Sequence, residues 1–480
     1  VQATWECYVA LKAKYAEHNL SAPPHRILSE ASIGKACLKQ MGIAPLLERQ
    51  PDFPRDLFGK IMCAYYGGRS EVHWRRTIKR VLYCDFKSMY PSVNALMGLW
   101  RFVIADGLDW RDATAEAHQL LAGATVAQLQ NRGAWSALAM IVRVRLDNDL
   151  FPVRAKFGDG FYTIGLNYLS YPGDLWMTLA DCIAAKVLSD KAPDILEAIK
   201  FTPGAPQADL KPIDLFGDDR FSVDPTKDDV FTRFVDLRDE AKAAGDPLQQ
   251  AIKIIANATS YGVFIEIIRD DAPKSEPILV CGPDGAPREQ RSKAIEQPGQ
   301  YFNPLLGVLI TGAARLMLAL AERRALDAGL DWAFCDTDSL ALVKPDNMSE
   351  ADFIKTAQSV VDWFAPLNPY RKPGSILKIE AVNFGEDGEH PSLYCFAISA
   401  KRYALFNLDK SGAPIIRKAS AHGLGHLLAP YTSSEAPEDI PPPAVALSEV
   451  GVERWQYDLW YKIIEAALAG KPDQVALDYH

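Results

Sequence analysis

Two apolar segments of this 480-residue chain run straight into aspartate, and no other feature narrows its possible folds as far. In "VLYCDFKSMYPSV" (81–93), Val81, Leu82 and Tyr83 suit the interior of a sheet. The same strand delivers Asp85, whose ionised carboxylate is costly to bury unless something neutralises it. In "AFCDTDSLAL" (333–342), Ala333 to Cys335 read as one strand and Leu340 to Val343 as the next, with Asp336, Thr337, Asp338 and Ser339 at the turn. Taken singly, Asp85 reads as a helix cap and "DTD" as an Asx-turn. Together they ask for more. Two acids at a hairpin tip repel each other unless a cation sits nearby. Neighbouring strand ends lie about 5 Å apart, which lets their carboxylates bridge two divalent ions roughly 3.5–4 Å apart. Mg²⁺ suits such a place, because it takes one or two carboxylates and completes its shell with water and phosphate oxygens.

Composition bounds the alternatives. This length exceeds one compact core, so roughly two to four subdomains are expected. Hydrophobic and charged contents of 48% and 24% describe an ordinary globular protein. No apolar run reads as long enough to span a bilayer, and "VQATWECYVALKAKY" lacks the features of a signal peptide. Cys7, Cys37, Cys63, Cys84, Cys182, Cys281, Cys335 and Cys395 are scattered without a CxxC pair, which argues against zinc or iron–sulfur ligation. It points to a reducing, intracellular and hence cytoplasmic setting. The net charge of −9 weighs mildly against nucleic acid, but binding follows the local field. "GGRSEVHWRRTIKR" concentrates Arg69, Arg75, Arg76, Lys79 and Arg80 against Glu71 alone. It reads equally as a solvated basic stretch or a phosphate track.

Along the chain, residues 1–64 read as mixed helix and loop, and "YYGG" (65–68) opens a strand-rich stretch. Residues 112–130 look helical, "IVRVRLDNDLFPVRAKFG" alternates like two strands with a turn between, and "DLWMTLADCIAAKVLSD" reads as a helix. Residues 203–230 are a loop-dominated insertion. Two helices broken at "AGDP" fill 231–264, and a long apolar helix with Gly329 as its cap fills 305–330. A Pro- and Glu-rich linker (435–443) precedes a last helix.

Five motifs then resemble those of family B DNA polymerases, in that family's order. "DFKSMYPS" (85–92) is similar to its first palm motif, "KIIANATSYG" (253–262) to the fingers motif, and "CDTDS" (335–339) to the third. "AKRYAL" (400–405) resembles the K-x-Y element at the primer terminus, and "YYGG" the Y-x-G-G element before the palm. The resemblance implies an α+β right-hand polymerase with an antiparallel-sheet palm, helical fingers and a mostly helical thumb. Its parts would be 1–64 before the palm, 65–230 as first palm part with the 203–230 insertion, 231–264 as fingers, 265–405 as second palm part and 406–480 as thumb. The implied activity is DNA-directed DNA synthesis on primer-template DNA with dNTPs and two Mg²⁺ ions, Mn²⁺ being the alternative. A priming or processivity protein is a further partner the family admits, and no membrane is implied.

By the same resemblance Asp85 and Asp338 bind metal, with Asp336 near the primer terminus. Backbone amides just after Asp85 meet the triphosphate, so Phe86, Ser88, Met89 and Tyr90 count as dNTP contacts, Tyr90 also excluding a 2′-hydroxyl. Lys253 and Asn257, with the i,i+4 pair Arg238 and Lys242, complete that set. Tyr65, Gly67, Gly68, Arg69, Thr337, Lys401 and Tyr403 would meet primer or template. Three departures stand out. Asn257 and Tyr261 are four apart where the family has three, which turns a helical position by about 100°: either Lys253 and Asn257 keep their roles and Tyr261 is displaced, or a bulge in the helix restores both. Only about 64 residues precede "YYGG", with no paired acids of a 3′–5′ exonuclease, so proofreading is not expected in this chain. "HGLGH" has His422 and His426 at a zinc spacing, but Gly423 and Gly425 favour a DNA-contacting turn. A polymerase-like DNA-binding subunit that has lost catalysis, and a polymerase of RNA, are the competing readings.

Overall fold

The computed structural model describes residues 2–16, 18–157, 161–282, 287–385, 390–422 and 440–471. Helix and strand are mixed, and every paired strand is antiparallel. The central sheet has eight strands: β1 (Ser70–Val72), β2 (Lys79–Phe86), β3 (Asp331–Asp336), β4 (Ser339–Val343), β5 (Leu377–Ile379), β6 (Leu393–Ser399), β7 (Arg402–Leu408) and β8 (Pro414–Ala421). They lie in the order β1-β3-β4-β2-β6-β7-β8, and β5 also pairs with β2. β2 is therefore central, and its consecutive buried residues Val81 to Cys84 fit a strand covered on both faces.

Period-two alternation sends Leu82, Cys84 and Phe86 to one face and Val81, Tyr83 and Asp85 to the other. The first set joins the main core, which holds helices α1 (Met89–Met97), α2 (Val230–Ala243), α3 (Gln249–Ser260) and α4 (Pro304–Asp327). Val81 and Tyr83 of the second pack with Phe334, Tyr403 and Leu405. Helix α5 (Arg454–Leu468) covers β7 and β8 through Tyr457, Trp460, Tyr461 and Ile464, an i, i+3, i+4, i+7 stripe. Burial of each such side chain contributes roughly 1.5–3 kcal/mol.

α4 starts with Asn303, whose side chain accepts from the Leu306 amide, and Pro304 at its first position; Gly329 closes it at φ 77. Against the sequence expectation, α4 is long and apolar enough to cross a membrane, and its apolar stretch is wholly buried in the protein.

A four-stranded sheet (Leu108–Asp112, Met140–Phe157, Phe161–Thr178, Asp194–Pro203) and a two-stranded hairpin (Ile267–Cys281 with Pro287–Pro298) complete the strands. Two expectations change here. The turn placed within 141–158 is instead a bulge: Met140–Phe157 continues past Asn148, which takes φ 54 within the register shift between Asp147 and Asp149. The helix begins at Leu179, not Asp174, because Trp176 and Met177 pair with Arg143 and Val142 and Thr178 caps it by accepting from the Asp181 amide. Stretch 203–230 holds two-residue strands and short 3₁₀ turns, as its composition implied.

Candidate active site

The β2–β4 register sets Ser339 opposite Asp85, so Asp338 stands beside the end of β2, where its carbonyl accepts from the Phe86 amide at 2.8 Å. β3 and β4 meet at Asp336 and Ser339, and the Asp338 amide donates to the Asp336 carbonyl at 2.7 Å, closing a three-residue turn around Thr337. Thr337 has φ 63, an uncommon region for a β-branched residue. Ser88 (φ 47) and Lys401 (φ 60) share that region. Three of the eight non-glycine residues with positive φ among the described residues are thus expected site residues. Such strain, about 1–3 kcal/mol each, persists where the surroundings impose it, and it clusters at functional sites.

Two of the carboxyls are held above their usual range. Burial pushes the Asp85 carboxyl well above the usual range, Asp338 and Glu380 add to the rise, and Lys418 opposes it. Asp338 is raised for the same first reason and then by Asp336, against Lys418 and Lys401. Lys401 Nζ lies 3.5 Å from the Asp336 carboxylate. Lys418 Nζ donates to Tyr83 Oη at 3.1 Å and sits 4.5 Å from that ring's centre. No group of three or more His, Cys, Asp or Glu side chains forms a ready-made metal cage among the described residues. Two converging hard-oxygen donors still fit Mg²⁺ or Mn²⁺, which fill their remaining positions with water and phosphate oxygens.

After Asp85 the chain makes a left-handed turn at Ser88 into α1. The amides of Phe86 and Lys87 donate to the carbonyls of Asp338 and Ile376. Among the described residues, the amides of Met89 and Tyr90, at the first turn of α1, have no backbone acceptor outside that helix. The side chains of Phe86 and Met89 are core, Phe86 lying edge-on to Phe364 at 5.1 Å. Lys87 pairs with Asp239 and so ties this turn to α2.

Tyr65, Gly68, Tyr90 and Thr337 are brought together. A Cβ on Gly68 would come 2.9 Å from Thr337 Cγ2 and 3.1 Å from Tyr90 Oη, so a larger residue would press on both side chains. At Gly67 it would meet Ile164. Tyr261 joins them: its ring is 4.7 Å from that of Tyr90, and its hydroxyl is 2.5 Å from that of Tyr65. α3 stops at Ser260, and Tyr261 leaves the helix at φ −155, ψ −70, which absorbs the extra residue in the motif. α3 docks on α1 through Asn94 Nδ2 and the Ser260 carbonyl, 2.9 Å. Lys253, partly buried, and Asn257, exposed, lie on α3; half-buried Arg238, its Nε unpaired, and exposed Lys242 lie on α2.

Two expected DNA contacts turn inward. Arg69 is 3% exposed and pairs with Glu71 (2.7 Å) and Glu322 (2.6 Å), so its guanidinium meets carboxylates of its own chain. The Tyr403 ring is buried and stacked on Phe334 at 3.9 Å. His422 donates its amide to the Lys401 carbonyl, while His426 lies outside the described residues. Sequence reading missed Arg315, which is buried on α4 with a bidentate bond to Asp181 (2.7 and 2.8 Å) and donates to the carbonyls of Tyr66 (3.0 Å) and Gly67 (2.7 Å). A lone arginine inside "LLGVLITGAARLMLAL" was its signal. Glu380 and Lys418 were missed as charges acting on Asp85.

No protein-family model matches the sequence, and no curated protein does either. Solved structures similar to it include phi29 DNA polymerase in an orthorhombic crystal form, at 16% identity and a TM-score of 0.43 over 80% of this chain and 57% of that one. The same polymerase complexed with primer-template DNA and incoming nucleotides gives 16% and 0.40, over 80% and 56% of the two chains. With single-stranded DNA it gives 14% and 0.41, over 85% and 59%. The relationship is distant, and this chain spans less than two thirds of those chains.

Proposed function

We propose that this chain is a DNA-directed DNA polymerase that adds dNMP to a primer 3′-hydroxyl. The observation that carries this reading is the placement of Asp85 and Asp338 at paired strand ends, where burial and neighbouring carboxylates hold both carboxyls above their usual range. The central sheet would be the palm, α2 and α3 the fingers, and the segment bearing α5 the thumb. Asp85 and Asp338 would hold the divalent ions. When bound, Mg²⁺ stabilises charge on the phosphoryl oxygens and lowers the pKa of the attacking hydroxyl.

The remaining work is positioning and charge stabilisation, which dominate phosphoryl-group chemistry. Lys253, with Arg238 and Lys242, supplies cations for the triphosphate, and the Met89 and Tyr90 amides face it from the α1 N-terminus. Tyr90, packed by Tyr261 and Gly68, leaves no room for a 2′-hydroxyl. Lys401 reaches the primer end beside Asp336. Arg69 and Tyr403 serve the scaffold. Purified protein with primed template, dNTPs and Mg²⁺ should extend the primer, and Asp85→Ala or Asp338→Ala should abolish extension. Persistence of extension in both variants would sink the assignment; DNA binding with no incorporation by the unaltered protein would leave a binding subunit.

A further inference from the structure

The turn carrying Asp336 and Asp338 is held from outside. Thr337 occupies a backbone region that a β-branched residue resists, and its amide donates to the Arg69 carbonyl at 2.7 Å. The next residue, Ser70, pairs with Asp336. Arg69 is itself fixed at three points. Nη1 bonds Glu322 on α4 at 2.6 Å, Nη2 bonds Glu71 on β1 at 2.7 Å, and the guanidinium carbon lies 5.2 Å from the centre of the Trp332 ring on β3. A planar fork buried between two carboxylates is more rigid than an ammonium on a flexible stem. Glu71 also accepts from the Leu166 amide, and a Cβ on Gly165 would come 2.9 Å from Glu71 Oε1. The bracket thus joins the core helix, the edge of the central sheet and the strand Phe161–Thr178.

We propose that Arg69, held by Glu322 and Glu71, is a positioning residue that fixes the Asp336–Asp338 turn so that Asp338 can share a divalent ion with Asp85. The proposal rests on the metal-dependent reading above, but two of its readouts need no turnover. The unaltered protein, Arg69→Lys and Glu322→Gln are compared. Hydrogen exchange at the Thr337 amide should accelerate in both variants. Mn²⁺ binding to the DNA-free protein, followed by its electron paramagnetic resonance, should weaken by about tenfold, the usual loss when a supporting partner of a metal ligand is changed. Affinity for primer-template should hold, and kcat should fall with the KM for dNTP unchanged. Glu322→Gln keeps an acceptor for Arg69 and carries the test if Arg69→Lys does not fold. Unchanged exchange and Mn²⁺ affinity would overturn the proposal. So would weakened DNA binding at unchanged Mn²⁺ affinity, since Arg69 would then be a phosphate contact. Failure of the unaltered protein to extend a primer, with exchange and Mn²⁺ binding responding as stated, would remove the polymerase reading and leave the positioning role standing.

Discussion

Replacing Asp85 by Asn should make the metal-free protein more stable while destroying its activity. Once both are ionised, near pH 8.5, two carboxylates at adjacent strand ends, about 5 Å apart at an effective dielectric constant near 20, repel by about 3 kcal/mol. Lys418 offsets part of this, which leaves a gain of about 2 kcal/mol on removing one charge. For 480 residues the unfolding entropy is about 1 kcal/mol per degree, so Tm should rise by about 2 °C in EDTA. Mg²⁺ should then stabilise the unaltered protein and leave the variant nearly unmoved. The pH dependence has a defined sign. Both acids have folded pKa values raised above the unfolded value of about 4, so the folded state holds its protons more tightly. Stability in EDTA should therefore fall as pH rises from about 4 through the raised values, and the fall should be shallower in Asp85→Asn. Scanning calorimetry from pH 5 to about 8.5, with EDTA or Mg²⁺, measures all of this. A variant melting at or below the unaltered protein in EDTA, with equal Mg²⁺ gains in both, would refute it.

Three further outcomes are expected. Tyr90→Ala should relax discrimination against ribonucleotides in primer extension, whereas unchanged selectivity would end its role as a gate. Gly68→Ala should lower kcat with little change in overall stability, because its Cβ would press on Thr337 and Tyr90; a rate equal to that of the unaltered protein would show that these neighbours give way. Asp181→Asn leaves the Arg315 charge buried and uncompensated and should cost about 3–5 kcal/mol in denaturant unfolding, with a loss below about 1 kcal/mol counting against the clamp.

What could be read from the chain was what local pattern encodes. β2 and the β3–β4 hairpin follow from apolar runs bounded by turn residues, and α4 from its cap and periodicity. The breaks came where a distant partner decides. Arg69 looks like a surface cation until Glu322, 253 residues away, is beside it. Tyr403 carries a polar tip that says nothing of its stacking on Phe334. Tyr261 seemed out of phase because helical phase was extended across a residue that leaves the helix. The hairpin Ile267–Cys281 with Pro287–Pro298 went unread because exposed residues dominate both strands, so little one-sided apolar alternation marks it.

The central place of β2 has a consequence during synthesis. Its three partners, β4, β5 and β6, all lie toward the C-terminus, the first beginning at Ser339. A ribosome adding about 5–20 residues per second would need roughly 13–50 s to travel from Phe86 to that point. Throughout that interval the newborn strand "VLYC" has neither neighbour beside it, a sticky intermediate of the kind that chaperones shield.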